Sequence, residues 1–490
     1  MKAWRRTVAG ALAAALLLAS SPLPSGGVAW AQDAAMRAEI EEGRKAHPQI
    51  LAAFGGAYED ARLQAYVEKV GERIHGVSEL AGVPFTFTVL DTEVVNAFAI
   101  PGGFVYVTRG LLALLNDEAE LAGVMGHEIG HVTAHHGTER QSKGGLLGMG
   151  SVLLGTVLGA YLGGDVGARI GQQAGRFLGQ GAVQTYSRGQ EYEADKLGVR
   201  YLGRAGYDPR AMADGLRALE RNAGLQAALE GREAGGASLL AGFFASHPNT
   251  PDRIERAEER AAERLADEAG GTERNRGAYL AAIDGMVYGE SPSQGMVRGR
   301  QFIHPTLRFA FEVPEGFRLK NRPSQVVAQG EGRAIVFDLA RNGGTTAARH
   351  LARDWTEGQI EAAETVTLRS GYEAAYGYGA VRLDQGRAEA AAGVVDGGDT
   401  FYRFLLLTGD LDRNDAVTLV ETMASLRRLD AREAASYRPL RLHVAAGGRQ
   451  ADLVGAMDAP LPAETFAVLN GIDDADGALP QGGVKVVRRD

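Results

Sequence analysis

Cysteine is absent from all 490 residues. That excludes disulfides and a lipid-modified cysteine, so stability must come from core packing alone. A basic excess is lacking too: 52 Lys and Arg stand against 61 Asp and Glu, a net charge of −9. Phosphate recognition runs on clustered Lys and Arg, and no basic stripe is visible, which argues against a nucleic-acid partner. No long internal repeat occurs, which weighs against a helical-repeat array. The apolar run near the N-terminus, from about Val8 to Ala19, falls short of the roughly 20 residues a membrane span needs.

That N-terminus has the layout of a secretory signal peptide. Lys2, Arg5 and Arg6 precede the apolar run, and a small-x-small site follows at Ala29-Trp30-Ala31. The expectation is export to the periplasm with cleavage after Ala31.

The next segment, from Ala35 to Ala81, has helical periodicity, with Leu63, Tyr66, Val67 and Val70 on one face. "VPFTFTVLD" (83–91) alternates as a strand does, and 94–110 reads as two strand segments about a Pro101-Gly102-Gly103 turn. A helix starts near Asp117, with Glu120 completing a capping box. Residues 144–181 are glycine-rich, and Gly145 to Gly164 carries no charge. Two readings stand for this segment: an apolar loop or hairpin packed over the domain, or a segment touching a bilayer surface. Helical pattern returns over 186–202 and 209–229, and again as a charged helix within 245–269. A polar stretch near 270–295 reads as a linker. The alternating segments after it, with two helices among them, suggest a small α/β domain with a largely antiparallel sheet.

The chemistry concentrates in "GHEIGHVTAHH" (126–136). Residues four apart share a helix face, so His127 and His131 can offer imidazole nitrogens to one ion. Glu128 lies about 100° round, within reach of a water held there. Chance supplies on the order of 0.01 such matches in a chain of this length. His135 keeps register with the pair, but eight helical residues rise about 12 Å, too far for a shared ion. His135 and His136 therefore read as surface residues near a helix end, with Gly137 stopping the helix.

The third ligand must come from another element, and "SRGQEYEADKLG" (187–198) supplies two carboxylates four apart, Glu191 and Asp195. Glu191 is assigned to the metal. Asp195 is assigned to a ligand histidine's N–H, fixing its tautomer.

H-E-x-x-H followed by E-x-x-x-D resembles the zinc metallopeptidase family of the CAAX prenyl endopeptidase, HtpX and BepA. "NAFAIPGG" (96–103), "RGLL" (109–112) and "SHPNTPDRI" (246–254) resemble it too, and the likeness covers roughly residues 38–265. It is closest to the exported BepA-like branch, but lacks the tetratricopeptide repeats that branch carries after the peptidase domain. The resemblance implies that His247 approaches the zinc and restrains the enzyme. It implies that an extended peptide lies along the strand at Asn96, Ala97 and Phe98, and that 144–181 is a lid. Arg253 and His247 are the candidates for steadying an oxyanion.

Residues 288–430 resemble small PsbP-like or Mog-like accessory domains. The tail, 440–489, resembles a degenerate LysM module with Gly448-Arg449-Gln450 where G-D-T is usual; a peptidoglycan tether and a structural cap both remain open for it.

The expected fold is α+β. A signal peptide (1–31) precedes a mostly helical gluzincin-type peptidase domain with a small sheet (32–270), and a linker (271–295) follows. An α/β sandwich (296–430) and a LysM-like module (431–490) complete the chain. The expected activity is a zinc metalloendopeptidase acting on misfolded or envelope polypeptides, with Glu128 as base and Asp195 supporting. Contact with a membrane surface or peptidoglycan would accompany it. The rival is a latent peptidase fold serving as periplasmic chaperone or envelope scaffold.

Overall fold

A computed structural model describes residues 26–136, 186–229, 243, 247, 252–267, 271–322, 325–330, 332–360, 364–383, 386–409, 411–472 and 479–489. The glycine-rich 144–181 and most of the expected signal peptide lie outside them. The fold is mixed α and β with several sheets. Among the described residues, no helix is long and apolar enough to cross a membrane.

The helical region that was expected to run from Ala35 is two helices, α1 (Gly26–Ala53) and α2 (Ala61–His75). Gly55 and Gly56 break it, both at positive φ (83° and 89°), which an L side chain rarely adopts. Asp60 then caps α2 by accepting from the Arg62 and Leu63 N–H groups. Leu63, Val67, Val70 and Ile74 form its buried stripe.

Three strands follow: β1 (Thr86–Leu90), β2 (Ala97–Ile100) and β3 (Phe104–Thr108), in the order β1-β3-β2. β3 pairs parallel with β1 and antiparallel with β2. β2 is thus an edge strand. Asn96 O accepts from Thr108 N, so by antiparallel alternation Ala97 and Ala99 turn their peptide groups outward.

Thr108 caps the short α3 (Arg109–Leu114), and Asp117 caps α4 (Glu118–Thr133). The expected capping box is half formed. Asp117 accepts from Glu120 N, but the Glu120 carboxylate takes Asn116 N instead of the cap's own N–H. Helices α5 (Arg188–Arg204), α6 (Ala211–Leu229) and α7 (Asp252–Ala266) complete the bundle.

α4 and α5 cross where both carry glycine. A Cβ at Gly198 would lie 3.1 Å from His127 N and 2.3 Å from Met212 Cε, and one at Gly126 would lie 3.3 Å from Gly198 Cα. This close approach sets the two site-bearing helices face to face. Gly198→Val should cost roughly 1–3 kcal/mol by overpacking and lower bound metal. Gly224→Ala on α6, whose Cβ meets nothing within 4 Å, should be neutral or stabilising by up to about 1 kcal/mol. Denaturant unfolding and metal content of the two variants check the contrast.

The stretch expected as a linker carries α8 (Arg276–Ile283) and β4 (Val287–Tyr288). Tyr279, Leu280 and Ile283 are buried in the bundle core, and Tyr279 Oη donates to Leu112 O at 2.6 Å. Beyond it lies a two-sheet sandwich. Its four-stranded sheet holds β5 (Met296–Arg298), β6 (Gln301–His304), β7 (Phe309–Glu312) and the later β15 (Arg427–Arg428). Its seven-stranded sheet holds β8 (Arg318–Arg322), β9 (Gln325–Gly330), β10 (Arg333–Arg341), β11 (Glu364–Thr367), β12 (Glu373–Leu383), β13 (Gly386–Asp396) and β14 (Thr400–Thr408), in the order β11-β12-β13-β14-β10-β9-β8. Phe302, Phe311, Phe337 and Phe404 fill the space between, and α9 (Arg413–Ala424) adds Leu419 and Met423.

After α10 (Ala431–Ser436) the chain returns to the bundle as β16 (Leu440–Ala445), α11 (Gln450–Gly455), α12 (Pro462–Asn470) and β17 (Val484–Arg489). β16 lies between β17 and β4, and Leu442 joins the bundle core.

Candidate metal centre

α4 brings His127 and His131 onto one face, and α5 sets Glu191 opposite. His127 Nε2 and His131 Nε2 are 3.0 Å apart. Glu191 Oε2 lies 3.6 Å from His127 Nε2, and Oε1 lies 3.5 Å from His131 Nε2. His247 enters from the far side, its Nδ1 3.2 Å from His127 Nε2 and 3.1 Å from Glu191 Oε1. All four side chains are buried, and their ligand atoms fall within 4.8 Å of one another. Four ligands held tetrahedrally at about 2.1 Å from one ion stand about 3.4 Å apart. The spacing fits a metal.

Asp195 Oδ1 lies 2.8 Å from His127 Nδ1, the nitrogen facing away from the cluster. Arg253, at the start of α7 and fully buried, grips Asp195 through two 2.8 Å bonds and reaches Glu191 Oε2 at 2.7 Å. As an oxyanion donor it is therefore corrected: its guanidinium is engaged with the two carboxylates. Tyr186 stacks on His131 with ring centroids 3.7 Å apart. His136 is corrected as well. It is 3% exposed, and its Nδ1 lies 2.9 Å from His131 Nδ1. α4 ends before Gly137, because His135 turns left-handed at φ 56°.

Glu128 is buried, and neither of its oxygens has a hydrogen-bond partner among the described residues. His247 Nε2 is 3.5 Å from Oε1. Burial pushes the Glu128 carboxyl above its usual range. Burial would raise Glu191 as well, but the imidazoles of His247, His131 and His127 outweigh it and hold that group well below the carboxylate range. Burial likewise opposes ionisation of Asp195, yet Arg253 and His127 hold it at about 2. Burial drives His131 strongly toward neutral imidazole, the form that ligates. Glu191 and Asp195, both held ionised, face one buried guanidinium, and a cation at the site would offset the remaining negative charge.

Ala97 and Phe98 lie on β2, which packs against α4, and Asn96 immediately precedes the strand. The side chains of Ala97 and Phe98 go to opposite faces: Ala97 joins the bundle core, and Phe98 packs between Phe54 and Tyr106, with centroids 5.0 and 4.9 Å off. What β2 offers the site is backbone, and the Ala99 peptide N–H faces Glu128. Phe243 N donates to Val95 O at 2.9 Å, and its ring stacks on His247 at 4.4 Å. Sequence reasoning missed Tyr186, Phe243 and the buried His136; no short-range pattern marks them.

Two facing helices thus converge imidazoles and a carboxylate on one point beside a buried glutamate, an arrangement able to hold a metal with a carboxylate at hand for acid–base work. Residues 61–261 match Peptidase family M48. The "Beta-barrel assembly-enhancing protease" of Yersinia pestis is 32% identical over 215 residues, 43% of each chain. The "Mitochondrial metalloendopeptidase OMA1" of Arabidopsis thaliana is 33% identical over 31% of this chain and 29% of its own. The match thus spans less than half the length of these curated relatives. Among solved structures, the PsbP of Synechocystis sp. PCC 6803 is 15% identical, with a TM-score of 0.20 over 29% of this chain and 98% of its own.

Proposed function

We propose that the chain is an exported zinc metalloendopeptidase of the periplasm that hydrolyses misfolded or envelope proteins. The observation that carries this reading is the buried convergence of His127, His131 and Glu191 beside the buried Glu128 carboxylate. Those three residues would hold the metal, and Asp195 would orient His127. Zinc held here supplies Lewis acidity toward a water and toward the scissile carbonyl. Glu128 takes the proton from the attacking water and delivers it to the leaving amine. Substrate backbone pairs with the outward peptide groups of Ala97 and Ala99, by strand addition to β2.

His247 supports restraint of the activity, since its Nδ1 stands where a fourth ligand would. A latent, chaperone-like protein is the second reading, favoured by that same contact. Export rests on the N-terminal pattern, and the name of the Yersinia relative is in keeping with envelope substrates. The strand-helix-helix-strand order of 440–489 supports the LysM-like reading of the tail and a peptidoglycan contact.

Casein hydrolysis by the purified mature chain, with zinc quantified, tests the proposal. Glu128→Gln should keep zinc and lose roughly 10²–10⁴-fold in rate, whereas His247→Ala should gain activity. Stoichiometric zinc without cleavage in any variant would favour the latent protein.

A further inference from the structure

His131 has a second ring nitrogen, and another histidine meets it. His131 Nδ1 lies 2.9 Å from His136 Nδ1. On its other side, His136 Nε2 lies 3.4 Å from Glu193 Oε2, on the water-facing side of α5. An unbroken helix would place residues five apart about 140° from each other. The left-handed turn at His135, φ 56°, folds His136 back over His131 instead.

Two facing imidazole nitrogens form one hydrogen bond only when one carries the hydrogen and the other a lone pair. A His131 that gives its Nε2 lone pair to a metal must carry its proton on Nδ1. His136 Nδ1 must then accept, which leaves the His136 proton on Nε2, toward Glu193. Each link in this chain has one permitted direction. The partner ligand is built in parallel, with His127 Nδ1 facing Asp195 Oδ1 at 2.8 Å.

We infer that His136 is a positioning residue. As its Nε2–H tautomer, held by Glu193, it accepts the Nδ1 proton of His131 and aims the His131 lone pair at the metal site. The two ligand histidines are thereby oriented by different acceptors, a buried carboxylate for His127 and a neutral imidazole for His131. The inference rests on the metallopeptidase reading and deepens it.

Two substitutions in the full mature chain separate hydrogen bonding from packing. His136→Phe keeps the ring volume and has no acceptor. His136→Asn loses volume but keeps an acceptor near the Nδ1 position. Zinc affinity, measured by competition with a chelator, should fall about 10–100-fold in His136→Phe and much less in His136→Asn, since removing an orienting partner of a ligand costs that much. The opposite order would assign His136 to packing and overturn the inference.

A second measurement needs no variant. The ¹⁵N-histidine spectrum of the zinc-loaded wild type should show His136 as the neutral Nε2–H tautomer, and an Nδ1–H tautomer would overturn the inference even if a variant failed to fold. Wild type that binds no zinc would end the metallopeptidase reading along with this one. Zinc in wild type with equal affinity in His136→Phe would end this one alone.

Discussion

Arg253→Met should destabilise the fold by about 3–5 kcal/mol at neutral pH, because it strands buried anions. Arg253 is fully buried and spans both carboxylates of α5, Asp195 and Glu191. Methionine fills similar volume, so the loss is mostly electrostatic. The sign of its pH dependence follows from Asp195. That group is held at about 2, below its usual 3.8, so it contributes stability above the unfolded value that fades as pH falls through the folded one. Without Arg253, burial raises the same carboxyl, which then protonates in place on mild acidification. The penalty should therefore be largest near pH 7 and shrink toward pH 4. Urea unfolding of metal-free wild type and variant at the two pH values measures this. An equal penalty at both would mean that Arg253 acts through packing. Zinc content should fall as well, because Glu191 and the Asp195–His127 pair lose their common anchor.

Lys485→Met should cost about 3 kcal/mol or more and partly undock the tail. Lys485 is fully buried on β17, and its Nζ donates to Ala113 O, Leu114 O and Leu115 O at 2.9, 3.0 and 2.7 Å. These carbonyls end α3, where a helix lacks internal donors and carries partial negative charge. Three acceptors need three N–H groups, so the side chain sits there as ammonium, although burial draws its pKa down to about 7. Methionine leaves all three carbonyls without that donor, and each such group costs about 1–3 kcal/mol, partly relieved by water. Arg276 helps hold the tail by donating to Gly483 O at 2.9 Å, so undocking should be partial. Limited proteolysis should release fragments near residues 430–440 sooner in the variant, and an unchanged digestion pattern would show that the tail docks by its apolar face alone.

Much of the site was legible because helical spacing is local. An i, i+4 pair must share a face, which placed His127 with His131 and Glu191 with Asp195 before any fold was known. The failures have the opposite origin. His136 was read as a surface residue because regular helix geometry was carried past Thr133, and a left-handed turn at a non-glycine residue leaves little trace in sequence. Arg253 was weighed as a catalytic donor because its partners lie 58 and 62 positions upstream. The stretch 271–295 looked like a linker because its polar residues outnumber its apolar ones, yet Tyr279 and Leu280 are buried in the bundle.

The chain by itself determined the local chemistry. It set which residue types recur at metal-ligand spacing, which segments of the peptidase region are helical or extended, and that neither disulfides nor a basic surface take part. The tertiary structure decided what lies between distant segments: the glycine crossing that brings α4 against α5, the guanidinium that holds both carboxylates, and His247 standing at the fourth position. It also carried the last strand back onto α3. The physical reason is that spacing along a helix follows from backbone geometry alone, whereas a buried charge or a helix crossing depends on groups that meet only when the whole chain packs.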